Sequence, residues 1–217
     1  MSRTLAPALI EIARLALMFG RVDRITLHED GIRPETDTDH TVMLMLCAVT
    51  VHASVPRLPA MNLGMVLKFA LIHDLVEAVA GDTPAYKLSA EAREAKELRE
   101  AEALRILGET FEAFRETDWL PGLIAEYEAQ VAVEARFIRL LDKMMPKLTH
   151  ALNLGATLRR RGETPLGLAQ EVGRQGNELF ARYPEFEVLR DLWMDTSAFA
   201  VGGLREGIEA FGPRGAL

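Results

Sequence analysis

The sequence predicts an all-α protein, a single bundle of about seven to nine helices. Apolar residues recur at helical spacing along nearly the whole chain, and no segment alternates convincingly between apolar and polar residues as a strand would. Of the 217 residues, 49% are hydrophobic and 26% are charged. This composition is typical of a globular chain that is long enough to bury a sizeable core.

The first predicted helix, Leu5–Phe19, has apolar residues on one face and charged residues on the other. A polar loop is predicted over Arg21–Asp39, because Gly31 and Pro34 break regular structure. The acidic and threonine side chains at the end of this loop are suitable N-caps. They predict a second helix over about His40–Ala53.

A strongly apolar helix is predicted from about Met61 to the turn signal Gly81–Pro84. The rest of the chain has helical periodicity separated by glycine and proline. The predicted helices there are Ser89–Leu107, Pro121–Met145, Leu148–Arg160, Pro165–Arg182 and Glu185–Ile208.

Charge and cysteine content limit the classes of function. The net charge of −7 argues against a nucleic-acid polymer as partner, since such a partner requires a basic face. A small anionic substrate is compatible with it, because a metal ion and one or two arginines can reverse the local field. Cys47 is the only cysteine, so no disulfide framework and no cysteine-based zinc site is expected. The N-terminal segment resembles neither a signal peptide nor a membrane span, so we expect a cytoplasmic protein without membrane association.

The apolar run Phe69–Ala80 contains three ionisable residues, His73, Asp74 and Glu77. A helix that is apolar nearly all round belongs in a core, where an unpaired charge is costly. At roughly 100° per residue, the three side chains fall within an arc of about 100°. Three ionisable groups on one side of a core helix need a shared partner, and a divalent metal ion is the simplest one.

His40 and Asp142 are further candidate ligands. His40 lies in the first turn of its predicted helix, where the helix dipole favours the neutral imidazole that metal binding requires. Asp142 lies in an apolar patch whose only other charged residues are Arg139 and Lys143. Taken alone, His40 is also compatible with a capping position, and Asp142 with an ion pair to either of these two cations.

These residues resemble the motifs of the HD-domain phosphohydrolases. The segments His73–Pro84 and Glu134–Lys143 are similar to signature segments of the small 5'-deoxynucleotidase branch of that superfamily. The resemblance covers about residues 5–150. It implies an HD phosphohydrolase core in residues 1–160, with the C-terminal helices of residues 161–217 packed on the same domain.

The resemblance implies that one divalent metal ion is held by two imidazoles and two carboxylates. The residues concerned are His40, His73, Asp74 and Asp142. Two coordination positions would remain for water or phosphate oxygens. This ligand set suits Mn²⁺, Co²⁺, Fe²⁺, Zn²⁺ or Ni²⁺ and does not choose among them.

Catalytic and substrate-binding roles also follow from the resemblance. Glu77 and Asp82 correspond to the acidic residues that handle protons beside the metal, with Asp82 orienting or deprotonating the attacking water. Arg21 corresponds best to the arginine that grips the phosphate, and Arg24 is its rival. Without the resemblance, Glu77 is compatible with an ion pair and Asp82 with a simple turn residue.

The implied reaction is the hydrolysis of phosphate from small nucleotides, foremost (deoxy)nucleoside 5'-monophosphates. One alternative is a (deoxy)nucleoside triphosphate triphosphohydrolase, and a second is a non-catalytic HD module that senses nucleotides. A longer phosphate chain needs more cations, and the candidates are Arg24, Arg33, Lys87 and Lys143. A homodimer is expected because small relatives pair through helices. No chemical role is assigned to His28, His52 or His150.

Overall fold

The structure is a computed structural model that describes residues 4–82 and 89–213. Within these ranges it contains nine helices of eight or more residues, two shorter helices, one 3-10 helix and two short strands. The helices are α1 (Leu5–Phe19), α2 (Asp37–Ser54), α3 (Leu63–Ile72), α4 (Glu77–Ala80), α5 (Ala90–Phe111), α6 (Trp119–Ala129), α7 (Val133–Asp142), α8 (Met145–Leu152), α9 (Ala156–Arg160), α10 (Pro165–Arg182) and α11 (Arg190–Phe211). The strands are β1 (Asp23–Leu27) and β2 (Pro34–Thr36), and the 3-10 helix is Pro184–Leu189. The predicted all-α fold class is confirmed.

The segment predicted to be a loop contains an antiparallel hairpin of β1 and β2. Its position depends on residues that are distant in sequence, because the Leu27 backbone N–H donates to Thr157 Oγ1 at 2.8 Å. Asn153 Nδ2 donates in return to the Leu27 carbonyl at 2.7 Å. The burial of β1 does not alternate regularly, so its sequence lacks the period of two that would have predicted a strand.

The apolar helix predicted to run from Met61 to Gly81 is interrupted at its ionisable residues. Helix α3 ends at Ile72, residues 73–76 form turns, and α4 begins at Glu77. The turns are closed by backbone hydrogen bonds from Leu75 to Ile72 and from Glu77 to Asp74. His73 therefore caps the end of α3 instead of lying within a helix.

Two other predicted helices are divided by backbone turns. The segment predicted as Pro121–Met145 breaks at Gln130, whose φ of 53° is left-handed, and again after Asp142. The segment predicted as Leu148–Arg160 breaks at Leu154 and Gly155, with φ values of 52° and 65°. Asp142 is thus the last residue of α7, at an opening between α7 and α8.

The core surrounds α3 and α7. Val66, Phe69 and Ala70 of α3 and Phe137 and Leu141 of α7 are completely buried. Helix α3 packs against α2, α6 and α7, so the elements that carry the candidate ligands are held by the buried core.

The C-terminal helices pack against α8 and α9. In α11, a Cβ on Gly207 would lie 2.0 Å from the Leu154 carbonyl oxygen, so only glycine allows this close approach. The division of the chain near residue 160 stays a prediction. Among the described helices, none combines the length and apolarity required to cross a membrane.

Candidate active site

The four predicted metal ligands meet where α2, α3 and α7 converge. His40, His73, Asp74 and Asp142 each offer one ligand atom, and these atoms lie within 4.8 Å of one another. His40 Nε2 is 3.1 Å from Asp142 Oδ1, and the two imidazole centroids are 5.3 Å apart. Three of the four residues are buried and Asp74 is half-buried.

The orientation of His40 follows from the start of α2. Thr36 and Asp39 form a reciprocal capping box that fixes the first turn of the helix. Five residues before His40, in β2, the buried carboxylate of Glu35 accepts from His40 Nδ1 at 3.1 Å. Thr149 Oγ1 donates to the other oxygen of Glu35 at 3.3 Å. A carboxylate on Nδ1 holds the ring with Nε2 facing the cluster, as is usual for metal-binding histidines.

His73 provides the test of whether a metal fits. Its Nδ1 donates to the Ala70 carbonyl at 2.8 Å, so the lone pair of the neutral ring lies on Nε2. Nε2 is buried and has no hydrogen-bond partner, although Asp74 Oδ2 is only 3.0 Å away. An unpartnered buried nitrogen beside two carboxylates is costly. A divalent cation satisfies all of these groups, so the residues present fit a metal ion.

The cluster attracts protons in the absence of a cation. Burial alone would lower the pKa of His40, but hydrogen bonds to Asp142 and Glu35 raise it to about 9. Burial would raise the pKa of Asp142, but Lys143, His40 and His73 hold it well below its usual range. Burial would also raise the pKa of Asp74, but His73 and Arg24 lower it below its usual range. Protons therefore supply the positive charge that a metal ion would supply.

Arg24, not Arg21, lies beside the cluster. Arg24 Nη1 donates to Asp37 Oδ1 and to Asp74 Oδ2, both at 2.8 Å, and lies 3.9 Å from Glu77 Oε2. Arg21 is exposed and does not line the cavity described below. The hairpin explains the difference, because Arg24 is a half-buried residue of β1 whereas Arg21 precedes the strand.

Glu77 and Asp82 lie on the same side of the cluster as Arg24. Glu77 is 7% exposed, and its Oε1 is 3.5 Å from Lys96 Nζ. Burial and the charges of neighbouring carboxylates raise the pKa of Glu77 to about 9. Asp82 is half-buried, and burial raises its pKa as well. The adjoining Thr83 and Pro84 lie outside the described residues.

Two acidic residues of the site had no predicted role at the cluster. Asp37 is fully buried, and burial raises its pKa to about 6. Glu35 is 3% exposed and holds His40. The sequence analysis explained Asp37 as one of the helix-capping residues before His40 and gave no role to Glu35. The number of acidic residues just before His40 was the available signal, because one helix cap does not need three carboxylates.

A cavity of about 940 Å³ adjoins the cluster. Its wall includes His73, Asp74, Glu77, Asp82 and Asp142, together with several cations. Such a volume is typical of a small-molecule site.

The four cations that were candidates for binding a triphosphate differ in their position relative to the cavity. Arg24 and Lys143 line the cavity, and Lys143 Nζ donates to Asp142 Oδ2 at 2.9 Å. Arg33 instead contacts Asp30 and His28 at the surface. Lys87 lies outside the described residues.

Known proteins share this fold and sequence pattern. A 5'-deoxynucleotidase HDDC2 of Homo sapiens is 30% identical over 141 residues, which are 64% of this chain and 64% of that protein. The 5'-deoxynucleotidase hdd1 of Schizosaccharomyces pombe is 29% identical over 119 residues, or 51% and 54% of the two chains. The match therefore spans less than two thirds of the length of these relatives.

A solved structure is similar over nearly its whole length. It is the "Predicted metal-dependent phosphohydrolase" of Magnetospirillum magnetotacticum MS-1, with a TM-score of 0.70 and 25% identity, covering 93% of this chain and 94% of the other. The HD domain family matches residues 20–186, which is more than half of the chain and includes every candidate ligand. The chain therefore belongs to the HD domain family.

Proposed function

We propose that this chain is a metal-dependent phosphohydrolase that releases phosphate from small nucleotides, foremost (deoxy)nucleoside 5'-monophosphates. The observation that carries the proposal is the convergence of His40, His73, Asp74 and Asp142 in one cluster, of which His73, Asp74 and Asp142 line a cavity large enough for a nucleotide. Similarity to proteins described as 5'-deoxynucleotidases and as a metal-dependent phosphohydrolase supports the same class of reaction.

The four residues would hold one divalent ion. That ion would supply Lewis-acid polarisation of a phosphoryl oxygen and a lowered pKa for water at the site. Its identity is left open among Mn²⁺, Co²⁺, Fe²⁺, Zn²⁺ and Ni²⁺, since all of them accept imidazole and carboxylate ligands.

Arg24 is the better candidate for gripping the phosphate. Its contacts within the described residues all involve Nη1, which leaves Nε and Nη2 to donate to phosphate oxygens. Asp37 and Asp74 hold the guanidinium in place, so it is pre-ordered for charge that develops as the P–O bond breaks.

Glu77 and Asp82 would manage protons. A carboxyl group with a pKa near 9 is protonated at neutral pH in the metal-free site, so Glu77 can donate a hydrogen bond to a substrate oxygen. Asp82 lies at the cavity wall in the turn after α4, where it would orient the attacking water and accept its proton.

Phosphate release decides between the monophosphatase and the triphosphohydrolase. EDTA-treated protein is supplied in turn with each of the five metals and incubated with dAMP or dATP, and inorganic products are identified. We expect orthophosphate from dAMP. Release of triphosphate from dATP, with no product from dAMP, would establish the triphosphohydrolase instead.

The non-catalytic alternative is tested with Asp82→Asn. This change preserves the shape of a side chain that is not among the proposed ligands, so metal content and fold should persist. Turnover should fall by about 10²-fold or more, as for loss of a general base. Unchanged turnover would remove Asp82 from the mechanism, and the absence of turnover in the unaltered protein with every metal would favour a sensing module.

We further propose a homodimer that resides in the cytoplasm and binds no nucleic-acid polymer. The single cysteine, Cys47, is free, as suits a reducing compartment. Exposed apolar side chains on α1 and α2, among them Leu17 and Leu46, provide surface for a second copy. Light scattering after gel filtration should give twice the monomer mass, and a monomer mass would contradict the dimer.

A further inference from the structure

Lys147 is a buried cation that has no role in the proposed reaction. It lies in the first turn of α8 and is 4% exposed. Its ammonium donates to the Lys143 carbonyl at 2.6 Å and lies 3.4 Å from the centroid of the Trp193 ring. Among the described residues, no carboxylate lies within ion-pair distance of it. Burial and the nearby charge of Lys143 lower the pKa of Lys147 to about 7, against the opposing effect of the more distant Asp142 carboxylate.

His150 lies one turn further along the same face of α8. Its Nδ1 is buried and has no hydrogen-bond partner in the described part of the protein. Both Lys147 and His150 line the cavity that contains the metal cluster. Two buried nitrogen groups without acidic partners, side by side at a cavity wall, are what a bound anion would satisfy.

Three other cations of the cavity wall have acidic partners. Lys96 contacts Glu77 and Glu100, at 3.5 and 3.0 Å. Arg174 forms two ion pairs of 2.6 Å with carboxylates of its own helix, α10. Arg139 is 3.2 Å from Glu128. Among the described residues, Lys147 differs from these three cations because it is buried and has no acidic partner.

The position of Lys147 connects it to the cluster. Lys143, whose carbonyl accepts from Lys147, donates its own ammonium to Asp142 at 2.9 Å. Asp142 and Lys147 both line the cavity. When the phosphate that is cleaved lies at the metal cluster, Lys147 needs another strongly negative group on the same nucleotide. On a nucleotide, that group is a second phosphate.

We propose that Lys147 and His150 form an anion subsite that binds a second phosphate group of the nucleotide substrate. This inference rests on the proposed phosphohydrolase function and adds that, among its nucleotide substrates, those with a second phosphate bind more tightly than monophosphates. The second phosphate is either in the same chain, as in a 5'-diphosphate or 5'-triphosphate, or on the sugar, as in a 3',5'-bisphosphate.

The test compares four adenine deoxynucleotides: the 5'-monophosphate, the 5'-diphosphate, the 5'-triphosphate and the 3',5'-bisphosphate. For the unaltered protein we expect KM for at least one substrate with two or more phosphates to be about tenfold lower than KM for the monophosphate, as for one charged hydrogen-bonded contact. The substrate with the lowest KM identifies where the second phosphate is attached. Equal KM values for all four would overturn the proposal.

Lys147→Met removes the charge and keeps an apolar stem against Trp193. The ratio of KM for the monophosphate to KM for the preferred substrate should fall from about ten to about one. Arg174→Met is the matched control, because Arg174 lines the same cavity but already has acidic partners, and the ratio should stay near ten. An unchanged ratio in Lys147→Met, or an equal fall in both variants, would refute the subsite. His150→Asn, which should reduce the ratio too, replaces Lys147→Met if the latter does not fold.

The subsite and the proposed function can fail separately. Dissociation constants of the same four nucleotides are measured by calorimetry with metal-loaded protein. If no nucleotide is hydrolysed but the tenfold preference appears in binding and is lost in Lys147→Met, the proposed function is wrong and the subsite stands. Hydrolysis without any preference in KM or in binding leaves the function and removes the subsite.

Discussion

The two ends of the cavity would be completed by ligands of opposite charge. At the metal cluster, two carboxylates and two imidazoles from three helices converge, and protons or Arg24 supply the missing positive charge. At Lys147 and His150, buried nitrogen groups have no acidic partner in the part of the chain that the structure describes. One end is completed by a cation and the other by an anion. This difference gives the cavity a direction, along which a phosphate-bearing molecule would be oriented.

Removing a carboxylate from the cluster should have the largest effect. Asp74→Asn removes a proposed metal ligand, which is also one of the two carboxylates that Arg24 contacts at 2.8 Å and the carboxylate nearest to His73 Nε2. We expect loss of the bound metal and a fall in kcat/KM of about 10³-fold or more. Elemental analysis and phosphate release measure the two effects. Glu100→Gln, at the cavity wall but outside the cluster, is the control and should retain both. Full metal content in Asp74→Asn would show that the ion, if any, is held elsewhere.

The two arginines near the hairpin should differ strongly. Arg24→Lys loses the planar fork that reaches Asp37 and Asp74, so kcat/KM should fall by about 10²-fold. Arg21→Lys changes an exposed side chain away from the cavity and should stay within about twofold. Steady-state kinetics with dAMP measures both variants. If Arg21→Lys were the more damaging change, the structural preference for Arg24 would be incorrect.

Glu35 should act through His40. Glu35→Gln keeps a hydrogen-bond acceptor but removes the charge that holds the imidazole. The metal affinity should fall by about 10- to 100-fold, as is usual when such a partner of a metal-binding histidine is changed. Competition with a chelating dye gives the affinity. An unchanged affinity would mean that packing alone orients His40.

The pH dependence of stability should separate the two ends in metal-free protein. The pKa of His40 is raised from 6.5 to about 9 by folding, so its contribution is present below pH 6.5 and is lost as the pH rises through 9. Glu77, with a pKa raised to about 9, acts in the same direction. The pKa of Lys147 is lowered to about 7, so its contribution grows between pH 7 and the ordinary lysine value of 10.5.

The cluster therefore loses stability over pH 7–9 while Lys147 gains it. Urea unfolding at pH 7, 8 and 9 should show a steeper fall in the free energy of unfolding for Lys147→Met than for the unaltered protein. The difference in slope is at most about 1.4 kcal/mol per pH unit, the value for one proton. Parallel curves would show that Lys147 titrates normally in the folded protein.

The sequence predicted those parts of the molecule that depend on local pattern. The helical fold class follows from periodicity, and a cluster containing His40, His73, Asp74 and Asp142 follows from the resemblance of the motifs to those of the HD-domain phosphohydrolases. The turns at residues 73–76 and at Gln130 were missed, because the helical propensity of the neighbouring residues hides them.

Features set by distant contacts could not be predicted in this way. The hairpin that brings Arg24 to the site is held by Asn153 and Thr157, more than 120 residues away. Lys147 and His150 gave no signal either, because their burial depends on Trp193 and the helices near the C-terminus. Tertiary packing, not local propensity, decides both.

The central claim is that one cation is held jointly by His40, His73, Asp74 and Asp142. Anomalous diffraction at the cobalt edge, from crystals grown with excess Co²⁺, tests this claim most directly. The account predicts a single strong peak at about 2.0–2.3 Å from a donor atom of each of the four residues. A peak elsewhere, or no peak while His40 and Asp142 remain hydrogen-bonded to each other, would contradict it.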